Sequence, residues 1–119
     1  MRKKQREAEL QRAAARLLDA LGLLWFHTPN GGRRDAREAK LLKAEGVKAG
    51  VPDIIILHPF AQYHGILIEL KVGRNKPTQA QETFMQRASA KGYFCAVVRS
   101  IDELINILNK CRISQNIST

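Results

Sequence analysis

Apolar and polar positions change rhythm along the chain, and each rhythm predicts an element. Leu10, Ala14, Leu17, Leu18 and Leu21 recur at helical spacing, so residues 4–21 read as an amphipathic helix stopped by Gly22. At the helical turn angle, Glu7 and Gln11 fall on or beside this apolar stripe, while Glu9 falls on its flank. L-L-W-F-H-T (23–28) reads as a short strand closed by the turn-forming P-N-G-G at 29–32. Residues 33–46 are charged, with weak helical periodicity and a stop at Gly46. A Gly/Pro loop (47–53) leads into an apolar run at 53–57, the pattern of a fully buried strand. After a turn at 58–64, G-I-L-I-E-L-K (65–71) returns as its hairpin partner. A basic loop (72–78) precedes a helix opened by Pro77 and Thr78 and running to Ala90. Residues 93–99 form another buried strand, and Ser100 or Asp102 caps a last helix through Asn109, ahead of a polar tail at 113–119. This order of helix, strand, strand, strand, helix, strand, helix predicts one small α/β domain over residues 1–119, a mixed central β-sheet flanked by helices.

Candidate chemistry follows from the hairpin. Side chains alternate across a strand, so Leu67, Glu69 and Lys71 share one face while Ile66, Ile68 and Leu70 share the other. The start of the 53–57 strand lies beside the end of its partner, so Asp53 converges on Glu69, with Lys71 two residues on. Charges at the rim of a core are costly unless paired or put to use. A structural ion pair at a strand end is one explanation. The other is that two close carboxylates repel and a divalent cation relieves them. Hard oxygen ligands suit Mg²⁺ or Mn²⁺, and such a cation beside a lysine suits phosphoryl hydrolysis.

Charge sharpens the choice of partner. Twenty Lys+Arg against eleven Asp+Glu give a net +9 and a pI near 10.1, which favours a polyanion, most simply nucleic acid. The excess is +6 in residues 1–50 and +3 in 51–119, so it gathers in the first half. Arg33, Arg34, Arg37, Lys40 and Lys43, with Lys48, Arg74 and Lys76, form either a solvated face or phosphate contacts; their positions flanking the carboxylates favour phosphate. Aromatic content of 6% argues against a stacking platform for single strands. No apolar run approaches the ~20 residues of a membrane span, and no apolar signal segment follows the basic start. Cys95 and Cys111, without C-x-x-C spacing, read as core thiols of an intracellular protein. His27, His58 and His64 match no metal-binding spacing and read as incidental.

Pro52-Asp53 followed by Glu69-Leu70-Lys71 resembles the PD-(D/E)xK nuclease signature. More narrowly, G-V-P-D-I (50–54), I-E-L-K (68–71) and the T-x-x-Q from Thr78 to Gln81 resemble the virus-type replication-repair nuclease (VRR-NUC) domain. E-x-x-L-Q at 7–11, P-N-G-G and V-V-R-S (97–100) fit it too, so the resemblance covers nearly the whole chain. It implies a restriction-endonuclease-like (PD-(D/E)xK) core. It also implies that Asp53 and Glu69 bind Mg²⁺ or Mn²⁺, with the Leu70 backbone carbonyl as a further ligand and Lys71 orienting or deprotonating the attacking water. Glu7 becomes an outer carboxylate, reaching the site or a second metal through water, although on its own it could be a helix-start acid favoured by the dipole. Gln81 stands at the site's edge holding water or phosphate, or is a surface residue of the helix's first turn. The implied activity is metal-dependent, structure-selective DNA endonuclease cleavage. Standalone phage and bacterial members of the family supply the pattern: a homodimer acting on branched DNA, a four-way (Holliday) junction resolvase, in the cytoplasm. Two other readings remain. One is a non-catalytic basic DNA-binding module on a nuclease fold. The other is a sequence-specific restriction-type endonuclease, for whose recognition elements 119 residues leave little room.

Overall fold

A computed structural model describes residues 2–29, 35–111 and 113. Leu10, Ala14 and Leu18 form the buried stripe of the first helix, α1 (Lys3–Ala20). Gly22, at φ 69°, turns the chain out of it into the short strand β1 (Trp25–His27). The turn is tied shut by the Trp25 indole N–H, which donates to Asp19 Oδ1 at 2.8 Å. A second helix, α2 (Ala36–Ala44), precedes the hairpin of β2 (Ile54–Ile56) and β3 (Ile66–Leu70). Helix α3 (Gln79–Ala90) crosses over to β4 (Phe94–Val98), and α4 (Ile101–Lys110) follows.

The strands form one mixed sheet in the order β1-β2-β3-β4. The first two pairings are antiparallel, and β3 with β4 is parallel, the case that needs a crossover element such as α3. Ile54 faces Ile68 and Ile56 faces Ile66, so one sheet face is a continuous apolar surface. That face, with Leu70 and Val98, is buried against Leu10, Ala14 and Leu18 of α1 and Leu104 and Leu108 of α4. Helix α3 lies on the opposite face, where Ala80 and Phe84 border Ile55 and Leu67 across a groove of about 880 Å³. Phe26 on β1 and Leu57 just past β2 also line this groove, each about half exposed.

The expected mixed sheet flanked by helices is present, with one helix more than the expected order contained. Residues 33–46 carry α2, capped by Asp35, whose side chain accepts the Glu38 N–H at 2.7 Å. No residue of α2 is buried, so no apolar stripe marks it in the sequence. Ser100, not Asp102, caps the last helix by accepting the Glu103 N–H at 3.1 Å. Cys111 is buried, Cys95 half-buried, and both are free thiols. The P-N-G-G turn beyond Pro29, Arg33 and Arg34, and the tail after Ile113 lie outside the described residues.

Candidate active site

Continuing the β2–β3 register one residue past Ile54 places Asp53 opposite Glu69. There the ladder changes. The Leu70 N–H donates to the Asp53 side chain, at 2.7 Å from Oδ2, instead of to a backbone carbonyl. The residue across from Leu70 in that register is Pro52, which has no N–H to return. In a strand, the C=O of a residue points the same way as its N–H. The Leu70 carbonyl therefore points toward Asp53 and receives no ladder hydrogen bond from Pro52.

Strand β1 fixes the Pro52–Asp53 backbone from the other side. The Asp53 carbonyl accepts the Thr28 N–H at 2.9 Å and lies 2.8 Å from His27 Nδ1. A carbonyl only accepts, so His27 carries a proton on Nδ1. The Thr28 hydroxyl donates to the Pro52 carbonyl. The sequence marks neither residue as functional, and the spacing of His27 suggests only an incidental histidine. These contacts span more than twenty residues of chain, so no local pattern announces them.

Glu69 is only 2% exposed, and its Oε2 lies 3.1 Å from Lys71 Nζ. Its other oxygen, Oε1, is buried and meets no hydrogen-bond donor among the described residues. Burial first, and the charge of Asp53 second, push the Glu69 carboxyl up to about 7, against the opposing pull of Lys71. Such an arrangement is unfavourable for the protein alone. It holds two carboxylates close, gives them one ammonium, and leaves one buried oxygen without a partner.

Gly50 seats the third side of the site. It has φ 82°, and a Cβ there would lie 2.3 Å from the Ala80 carbonyl oxygen. The loop before Asp53 therefore touches the first turn of α3 backbone to backbone, at Ala80 and Gln81. Gln81 Oε1 accepts the Thr78 N–H at 2.8 Å, and Thr78 Oγ1 accepts the Gln81 N–H at 3.2 Å. The T-x-x-Q motif is thus a capping box, which engages the Gln81 side-chain oxygen at the start of α3.

Helix α1 passes the end of β3, since the Arg6 guanidinium lies 3.7 Å from a Cβ built on Gly73. Glu7 is half-buried and Glu9 exposed, in keeping with their helical phase. Among the described residues no three His, Cys, Asp or Glu side chains gather to hold a metal, so Glu7 stands outside the Asp53–Glu69 pair. Arg37, Lys40 and Lys43 are exposed on α2, Lys48 on the loop before Gly50, and Arg74 and Lys76 on the loop after Lys71. His64 packs edge-on against Tyr93, at 5.7 Å between ring centroids.

The donor set fits a hard divalent cation. It offers two carboxylates, one of them with an orphaned buried oxygen, and a backbone carbonyl, all oxygen donors and with no thiol among them. Mg²⁺ or Mn²⁺ suits such a set, with water filling the rest of the shell.

No family model and no curated protein matches the chain. A search of solved structures finds similarity to a protein described as "VRR_NUC domain protein". The two are 29% identical with a TM-score of 0.73, over 88% of this chain and 86% of that one.

Proposed function

We propose that the chain, similar in motifs and fold to a VRR-NUC domain protein, is a Mg²⁺- or Mn²⁺-dependent, structure-selective DNA endonuclease. The observation that carries this reading is Glu69, a buried carboxylate raised to about 7 beside Asp53, with one oxygen unpartnered. Asp53, Glu69 and the Leu70 carbonyl would hold the cation. The cation supplies Lewis acidity toward a phosphoryl oxygen and makes water acidic enough to attack at neutral pH. Lys71, held by Glu69 at the rim, would orient the attacking water and, as an ammonium, offset charge on the phosphate. The Gln81 amide donates to water or a phosphate oxygen, and Glu7 acts from α1 through water. Basic side chains on α2 and on the loops around the site hold the DNA backbone without reading bases.

We assign branched DNA, with the four-way junction first, as substrate, and a homodimer as the working form. One copy has one such site, and symmetric cutting of a junction needs two related by a two-fold axis. The open apolar groove between α3 and the outer face of β1–β3 is surface that such a pairing would cover. The test is cleavage of duplex, flap, fork and four-way-junction DNA in Mg²⁺, Mn²⁺ or EDTA. Cutting with either cation, strongest on the junction, is expected. Undiminished cutting after thorough stripping into EDTA would overturn the metal assignment, and equal cutting of all substrates would overturn the junction.

A further inference from the structure

A second basic feature lies on α1 and at the end of β4, apart from the basic residues of α2. Arg6, Arg12 and Arg16 of α1 and Arg99, just past β4, line one cavity of about 540 Å³ together with Val72, Ile101 and one carboxylate, Glu9. No carboxylate makes an ion pair with any of the four arginines among the described residues. Arg12 and Arg16 are four apart on one helix, an arrangement of like charges that disfavours the helix unless an anion answers it. Arg99 is fixed in place, its guanidinium donating to the Gly73 carbonyl at 3.0 Å.

The cavity adjoins the site. Val72 directly follows Lys71, and the Lys71 N–H donates to the carbonyl of Val98, the residue before Arg99. From Arg6 to Arg16 the helix rises about 15 Å, the axial length of four or five phosphates on one strand. Guanidinium groups hold phosphate bidentately, so arginine rather than lysine is the side chain suited to this wall.

We infer that the Arg6–Arg12–Arg16–Arg99 cleft binds consecutive backbone phosphates of the DNA as it leaves the Asp53–Glu69 site. The inference rests on the nuclease reading for the course of the DNA, but its test does not depend on cutting. The experiment is Kd for a four-way junction with unphosphorylated ends, in EDTA, across a range of salt, for wild type and Arg12→Gln/Arg16→Gln. Loss of two phosphate contacts should flatten the slope of log K against log[salt] by about 1.5–2. Arg12→Lys/Arg16→Lys should restore most of the slope. A control substitution away from the cleft, Lys110→Gln, should change it by less than a quarter as much. Thermal unfolding of each variant verifies that it is folded. An unchanged slope in folded Arg12→Gln/Arg16→Gln, or an equal loss in Lys110→Gln, overturns the cleft. A chain that shows the arginine-dependent slope yet never cuts keeps the cleft and loses the nuclease reading; one that cuts with an unchanged slope does the reverse.

Discussion

Glu69 can be tested without any substrate. Burial first and the charge of Asp53 second push its carboxyl up to about 7 in the folded protein, from an ordinary value near 4.5. Between those pH values the folded chain keeps a proton that the unfolded chain has released. This part of the stability is therefore complete below about 4.5 and declines as pH rises through 7, at up to about 1.4 kcal/mol per unit. Metal-free protein should unfold at lower temperature at pH 8 than at pH 5.5, to the extent that Glu69 dominates. Mg²⁺ at pH 8 should raise Tm, because the cation binds the ionised carboxylate. Glu69→Gln should flatten the pH dependence and abolish the Mg²⁺ effect. Calorimetry of both proteins at both pH values decides it, and an equal Mg²⁺ shift in Glu69→Gln would remove Glu69 from the ligand set.

At the scale of elements, the site depends on three backbone meetings: β2 with β3, β1 with Pro52–Asp53, and the Gly50 loop with α3. Gly50→Ala tests the last. Its Cβ would overlap the Ala80 carbonyl, and φ 82° is itself strained for alanine, so the loop and the α3 start must part. Cleavage should fall at least ~10-fold, on the principle that small misplacements of reacting groups cost rate steeply. The sheet should persist, because its core lies on the opposite face. Circular dichroism beside a cleavage assay checks this, and full activity in Gly50→Ala would mean that the contact does not position the site. Much of this level was legible beforehand. The isoleucine run and the alternation in 65–71 define the hairpin, and a short turn between the strands brings Asp53 to Glu69. Helix α2 was missed because it buries nothing, although D-A-R-E at 35–38 carries its capping signal. The hold of His27 and Thr28 on Asp53, and the gathering of α1 arginines around Arg99, were illegible because they join distant segments through the fold.

For the whole molecule, the net charge of +9 should appear as salt-dependent binding. If about five basic side chains engage phosphates, log K should fall with log[salt] at a slope near −4 to −5. A flat response would make the charge a solubility feature. Light scattering at assay concentration should give twice the 13.4 kDa chain mass, and junction cutting by a monomer would reject the dimer. The central claim is that Asp53 and Lys71 do chemistry and do not merely pair with Glu69. A cleavage time course beside an EDTA mobility shift, for wild type, Asp53→Asn and Lys71→Ala, tests it most directly. Asparagine keeps an oxygen to accept the Leu70 N–H but removes the charge that holds a cation. Both variants should lose at least ~10²-fold in cleavage rate, the scale on which single catalytic electrostatic groups act. Without metal, Asp53→Asn should bind DNA as well as wild type or slightly better, and Lys71→Ala slightly worse, because one loses a negative charge and the other a positive one. Both variants folding normally and cutting like wild type would contradict the nuclease assignment and leave a basic DNA-binding module in its place.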